Sequence, residues 1–360
     1  MRSRRDMSMP LVKAHERFLQ LLTILLLLLH CDRYARAWQP ESIPSRHHHS
    51  VLLSLIQSVG WEPQRVEVRH LDQEKSAFCN TVYRLTTSCY NNETTITIAK
   101  IFSPLALERM THSVGAMDSF VAAKGLAPRI LATCKDGILM EFCKSHHCAS
   151  HNNSQNVDEQ NDTLCAMALA KLHSLPPLVP SSSQMEENML WRSCSILMMH
   201  VNENWRCRTS ARGDSWTKEM LATEIRHEQF RLSRKALVEV PIAHGDCKPS
   251  NLICQQERAF FIDLELCGRN YRSYDLAKLL RNDGDPTLMN SSSRRTRFLS
   301  VYAERVDANI DQLQFELNEI MPLTWLEAAI FFAAMEAVDP QNRDKWNSLA
   351  ASRLRSYETC

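Results

Sequence analysis

The order of apolar and polar positions divides the chain into stretches of different period. An apolar run, Phe18–Leu29, is broken only by Gln20 and Thr23, and after the polar residues 38–50 comes a short apolar segment, Val51–Val59. From Val66 the β-branched residues alternate with polar ones over Val66–Val68, Thr81–Thr86 and Thr94–Phe102, which predicts three strands separated by Asn/Ser turns. Ile138–Phe142 reads as a further strand. Between them the spacing turns helical over Leu105–Lys124, with Gly125 placed to cap the helix and Pro128 to stop it. Residues 146–162 are polar and read as a surface loop. Beyond it, helical spacing returns over Thr163–Ser174, Trp191–Trp205, Ser215–Val238, Phe298–Leu317 and Pro322–Val338. One strand pair interrupts this run: Leu252–Cys254 and Ala259–Ile262, around a turn at Gln255–Arg258. Strands first and helices afterwards predict an α+β chain, its strands mainly within 61–145 and its helices mainly within 163–360. Residues 38–60 read as a linker.

Composition narrows the partners. A 360-residue chain with 44% hydrophobic content can bury a sizeable core, and a formal net charge of +1 supplies no footprint for nucleic acid. Residues 1–17 are basic, and the apolar run after them is shorter than the ~20 residues of a membrane span. With Ala35-Arg36-Ala37 offering small residues before Trp38, residues 1–37 read as a signal or targeting segment that engages a membrane during targeting. Secretory entry is the expectation; an uncleaved anchor, a two-part plastid presequence, or a cytoplasmic protein with a mispredicted start are the alternatives. The thirteen cysteines are an odd number without dense even spacing, and four (Cys143, Cys247, Cys254, Cys267) lie within or near the stretch discussed next, so free thiols are expected. The run Cys143, His146, His147, Cys148 is too compact for a structural zinc site, and His47–His49 read as solvated.

The chemistry concentrates in His244–Arg281, HGDCKPSNLICQQERAFFIDLELCGRNYRSYDLAKLLR. Asp246 lies in a short loop, Asn251 follows five residues later, and the strand pair delivers Asp263. Phosphoryl transfer from ATP asks a protein mainly to position reactants and neutralise charge, with Mg²⁺ held by hard oxygen ligands. Asp246 can accept the proton of an attacking hydroxyl, while Asn251 and Asp263 can share a metal ion if the chain between them doubles back as a hairpin.

The segment FIDLELCGRNYRSYDLA resembles the I-D-F-E-Y-x-x-x-N-Y-x-x-x-D segment of choline and ethanolamine kinases, within the aminoglycoside phosphotransferase group of the protein-kinase-like fold. The loop HGDCKPSN is similar to the HRDLKPEN of protein kinases. The resemblance covers about residues 70–355 and implies a two-lobed kinase-like fold that uses ATP and Mg²⁺. It implies that Asp246 acts as base, that Lys248 neutralises the migrating phosphoryl group, that His244 packs the loop, and that Asp275, at the start of a helix, caps backbone amides and braces the loop. Lys100, in ITIAKIF, matches the lysine on the ATP phosphates; its alternative is a solvated edge residue. Asn80 follows the nucleotide loop, whose family glycines are Ala77, Phe78 and Cys79 here. Backbone groups of Glu141 and Cys143 would meet adenine. The glutamate that pairs with the lysine falls near Val114, leaving Glu108 or Asp118 to serve. Glu265, Asp283, Phe331 and Phe332 are the substrate candidates; Leu266 replaces a family tyrosine and Asn282 a glutamate. The expected activity is ATP-dependent phosphorylation of a small alcohol, an amino alcohol such as ethanolamine or a sugar. A pseudokinase scaffold is the alternative. A protein kinase is disfavoured by the twelve residues from Asp263 to Asp275, too few for a peptide-presenting segment.

Overall fold

The computed structural model describes residues 45–71, 80–88, 94–143, 146–147, 155–178, 187–209, 215–255, 257–281 and 292–360. Residues 1–37, expected to be a targeting segment, the glycine-replacing residues 77–79, and Asn282 and Asp283 lie outside them. The chain divides into two compact units, 1–101 with 131–139, and 102–130 with 140–360.

The first unit opens with a helix where a linker was expected. Helix α1 (Arg46–Ser58) starts at Ser45, whose side chain accepts from His48 N. Its residues Val51, Leu52, Leu55 and Ile56 fall on one face and are buried. They join the core formed by Val66, Val68, Tyr83, Leu85, Ala99, Ile101 and Leu139. The histidines are accordingly not all solvated: His48 Nδ1 lies 3.0 Å from the Tyr83 hydroxyl, and burial together with the neighbouring His47 charge lowers its pKa. Leu55 is fully buried, so Leu55→Ala is expected to cost about 2–5 kcal/mol in urea unfolding of the unit. A loss below about 0.5 kcal/mol would mean that α1 does not belong to this core.

Strands β1 (Val66–His70), β2 (Thr81–Ser88) and β3 (Thr94–Ile101) pair antiparallel. The sheet continues through β5 (Gly137–Glu141) to β4 (Ile130–Cys134), in the order β1-β2-β3-β5-β4. Strand β3 is therefore internal, and Lys100, opposite Val82, is buried and no edge residue.

In the second unit the helix expected over Leu105–Lys124 is two: α2 (Pro104–Arg109) and α3 (Ala116–Ala123). The first ends at Met110 in extended conformation, and Gly115 at φ 75° starts the second, a backbone angle that a residue with a Cβ rarely adopts. The polar stretch 146–162 is ordered at both ends. Strand β6 (His146–His147) pairs with a later strand, and helix α4 (Gln155–His173) begins eight residues before its apolar pattern does. Helix α5 (Met189–His200), the hairpin β7–β8 (Arg206–Arg208, Ser215–Thr217), helix α6 (Lys218–Leu232) and strand β9 (Glu239–Ala243) follow. Strands β10 (Leu252–Gln255) and β11 (Arg258–Phe261) form the expected hairpin, with Leu252 opposite Phe261. Strand β12 (Gly268–Tyr271) pairs with β9 and leads directly into α7 (Arg272–Leu280).

Helices α8 (Ser292–Arg305), α9 (Ile310–Val338) and α10 (Arg343–Thr359) complete the unit. Pro322, expected to start a new helix, lies inside α9. A proline there forfeits one backbone hydrogen bond and costs about 3 kcal/mol. Burial of Leu317, Ile320, Leu323 and Leu326 around it outweighs that cost. This helix is apolar enough to cross a membrane, yet 78% of its most apolar window is buried in the protein, as in a core helix.

Candidate functional site

The second unit builds its site where β9 ends. The chain turns at Gly245, φ 79°, and an added Cβ would lie 2.3 Å from the Leu266 carbonyl oxygen. Asp275, in the first turn of α7, holds this turn. Its Oδ2 accepts from His244 N at 2.5 Å and its Oδ1 from Gly245 N at 2.9 Å. His173 of α4 donates from Nε2 to the same Oδ2 at 3.0 Å, and its Nδ1 lies 2.7 Å from the Tyr302 hydroxyl. His173, Tyr302 and Asp275 are all buried, so this chain of bonds fixes the loop from behind. Asp275 thus caps amides of the loop and not of its own helix, whose N-cap has no side-chain bond.

The His244 ring works within the loop. Its Nε2 faces the Ile262 carbonyl at 2.9 Å, and the Asp246 N–H donates to Nδ1 at 3.2 Å. That pair of partners fits the neutral tautomer with the proton on Nε2. Asn251 ends a short 3-10 turn, and its Nδ2 donates to the Asp246 carbonyl at 3.0 Å and approaches Oδ2 at 3.4 Å. The Ile262 N–H donates to the Asn251 carbonyl at 3.0 Å, which ties the far end of the hairpin to its near end. Asp263 follows at once in the left-handed region, φ 63°, ψ 52°. Aspartate tolerates that conformation better than most residues, and here it directs the chain into the 3-10 turn Leu264–Leu266.

Around Asp246 the charges are dense. Oδ2 lies 3.2 Å from Lys248 Nζ and Oδ1 2.9 Å from Lys278 Nζ. Lys278 also meets Glu327 Oε2 at 3.2 Å, and Glu327 Oε1 meets Arg109 Nη2 at 3.1 Å. Arg109 in turn donates to Ser193 Oγ at 2.7 Å. Desolvation opposes the Asp246 charge, but Lys248 and Lys278 outweigh it and hold the carboxyl well below the usual range. Burial likewise opposes the Glu327 charge, and Lys278 and Arg109 outweigh it, so its pKa is lowered. Desolvation works against the Lys248 charge; Asp246, Asp263 and Glu265 overcome it and raise its pKa. Asp246, Lys248, Asn251 and Asp263 thus form one electrostatic and hydrogen-bonded group.

Lys278, Glu327 and Arg109 were not singled out from the sequence. The one local signal was that Lys278 stands three residues after Asp275 on the same helix, and so on the same face.

Other sequence candidates fall differently. Asn80 and Lys100 belong to the first unit and are buried there. The Glu141 N–H already donates to the Arg129 carbonyl at 2.9 Å and so is not free to meet adenine. Cys143 carries a free thiol, raised in pKa by burial and the nearby Glu141 charge. Glu108 sits 2.7 Å from His200 and is half-exposed. Phe332 stacks on Trp346, ring centroids 6.1 Å apart. Phe331 carries the Arg109 guanidinium over its ring at 5.6 Å. Among the expected free thiols, Cys143, Cys247 and Cys267 are free, with burial pushing the last two well up in pKa. Cys254 is disulfide-bonded, a correction to the expectation for all four.

The donor set suits a hard divalent cation. Asp263 offers a carboxylate, and Asn251, with its amide nitrogen committed to Asp246, is left to present its amide oxygen.

The family model for choline/ethanolamine kinase matches residues 71–343. Among solved structures the chain is similar to a Plasmodium vivax ethanolamine kinase, at 16% identity and TM-score 0.62, covering 81% of this chain and 82% of that one. It is also similar to a choline kinase from Cryptosporidium parvum, at 14% identity and TM-score 0.61, covering 86% and 94%. A third is the choline kinase LicA from Streptococcus pneumoniae, at 16% identity and TM-score 0.59, covering 86% and 100%. LicA has also been solved in complex with AMP. No curated protein sequence matches the chain.

Proposed function

Because the chain belongs to the choline/ethanolamine kinase family and is an ATP-dependent small-molecule phosphotransferase, we propose that it transfers the γ-phosphoryl group to an alcohol whose hydroxyl is oriented by Asp246. The observation that carries this reading is the bonded group of Asp246, Lys248 and Asn251, with Asp263 delivered beside it by the hairpin. Asp246 accepts the hydroxyl proton as the new phosphate ester bond forms and the bond from the γ-phosphorus to its bridging oxygen breaks. Its low pKa makes it a weak base. A loose transition state suits that, because the hydroxyl need lose its proton only late. Lys248 neutralises charge on the migrating group. Mg²⁺, held by Asn251 and Asp263, would screen the phosphate oxygens. The backbone of Cys143 would contact the adenine.

Mg·ATP is expected to stabilise the wild type by about 2.7 kcal/mol at a hundred-fold excess over Kd, and so to raise its thermal midpoint. Asp263→Ala should lose this stabilisation while keeping the ligand-free midpoint to within a few degrees. Equal stabilisation of both proteins by Mg·ATP would remove Asp263 from the nucleotide site.

A further inference from the structure

The phosphotransferase reading gives Asp246 the acceptor hydroxyl and Lys248 the migrating phosphoryl group, and the following rests on that reading. We propose that Lys278 is a positioning residue for the transfer: it stays on Asp246 Oδ1 while Lys248 moves to the phosphoryl oxygens, and so keeps the carboxylate turned to the hydroxyl.

The two lysines on Asp246 are unlike. Lys248 approaches Oδ2 at 3.2 Å with 28% of its side chain exposed. Asp263 and Glu265 attract it as well, so it is shared among three carboxylates before any phosphate arrives. Lys278 approaches Oδ1 at 2.9 Å with 6% exposed, and its second partner is Glu327 Oε2 at 3.2 Å. A part-exposed, shared cation can follow charge to a new oxygen. A buried cation held between two carboxylates stays, because leaving either one strands a buried charge.

The balance of charge agrees. Among the described residues, and with His244 neutral, Asp246, Asp263, Glu265 and Glu327 bring negative charge to this group, against Lys248, Lys278 and Arg109. With Lys248 engaged by phosphate, Lys278 is the cation left on Asp246.

The support behind Lys278 is rigid. Buried Glu327 turns Oε1 to Arg109 Nη2 at 3.1 Å, Arg109 donates to Ser193 Oγ at 2.7 Å, and Lys278 Nζ lies over the Tyr274 ring at 5.6 Å. One turn of α7 thus holds the loop twice. Asp275 takes the His244 and Gly245 amides, and Lys278, three residues on, takes the Asp246 side chain. From the other side Asn251 Nδ2 approaches Oδ2 at 3.4 Å. The carboxylate is held at both oxygens and cannot swing about its Cβ–Cγ bond without exchanging partners.

The test is a double-mutant cycle on kcat. Transfer from Mg·ATP is followed by ADP release with the best acceptor from a set of amino alcohols and sugars, and the thermal midpoint of each variant is recorded. In Lys278→Met, Asp246 keeps Lys248 and Glu327 keeps Arg109, so the fold should hold. Its kcat is expected to fall about 10–100-fold, with KM for acceptor and ATP within about three-fold of wild type. In the Asp246→Asn background the same substitution should change kcat by less than about three-fold, because Lys278 acts through that carboxylate. Lys278→Arg, which keeps the charge and a donor, should recover most of the rate. Equal losses of kcat in both backgrounds would mark a lysine that only supports the fold, and overturn the proposal. A Lys278→Met rate within about three-fold of wild type also overturns it, and a slow Asp246→Asn in the same assay then leaves the kinase reading standing. If Lys278→Met does not fold, Lys278→Gln enters the same cycle, and loss of the fold in both overturns the proposal. No transfer to any acceptor by the wild type overturns it too, and the Mg·ATP midpoint then tells whether the kinase reading falls as well.

Discussion

Asp246→Asn is expected to lower kcat by about 10²–10⁴-fold while Mg·ATP still stabilises the protein. The substitution keeps the shape of the side chain and one oxygen for Asn251, but removes the negative charge. The carboxylate sits between two lysines that hold its pKa well below the ordinary value. A group lowered in this way contributes stability that is present above its unfolded pKa of about 3.9 and is lost only as pH falls through its folded value. Above pH 5 the wild type therefore keeps Asp246 ionised, and any acid limb of the rate in that range belongs to another group. In the variant Lys278 retains Glu327 as counter-charge, and Lys248, which is part-exposed, can turn toward water. The fold should thus survive and the rate should not. The measurement is kcat beside the thermal midpoint for wild type and variant, with the best acceptor from a set of amino alcohols and sugars. A rate within ten-fold of wild type would remove Asp246 from the chemistry.

What the sequence made legible was local. The hairpin of β10 and β11 could be read because apolar alternation and a short polar turn fall within ten residues. The loop before it and the start of α7 after it were marked by their aspartates. Longer-range features had no such signal. The charge chain joins residues 109, 246, 278 and 327 through contacts that no spacing rule anticipates, so Lys278 and Glu327 went unnoticed although they flank the central carboxylate. Helix α1 was hidden by its histidines, since a polar run before a short apolar segment looks like a linker until a sheet offers a face to bury Leu52 and Leu55. Pro322 misled in the opposite way. Local backbone preference argued for a break, and burial on both sides of it kept α9 continuous. Cys254 shows the same limit, because a disulfide depends on distance in space and the odd cysteine count says nothing about one pair.

Asp275→Ala is expected to be the most damaging change to the fold and to remove activity with it. The carboxylate is fully buried and is the acceptor for His244 N, Gly245 N and His173 Nε2. Without it three donors lose their partner, in a place where an orphaned polar group costs about 1–3 kcal/mol each. Some relaxation and water entry will offset this, so a loss of about 3–5 kcal/mol is expected, close to that for breaking a buried ion pair. In a unit of this size that lowers the thermal midpoint by about 10 °C. Asp275→Asn should not rescue it, because its amide nitrogen would face one of the same donors. The loop also loses its register: Gly245 has no room to shift toward the Leu266 carbonyl, and Asp246 follows it directly in the chain. A displacement of about 1 Å at such a group can cost about 10²-fold in rate. The two aspartates therefore separate by their readouts. Loss of rate at an unchanged midpoint marks the residue that meets the hydroxyl, and loss of both marks the residue that holds the first in place. A midpoint in Asp275→Ala equal to wild type would mean that the loop stands without its brace.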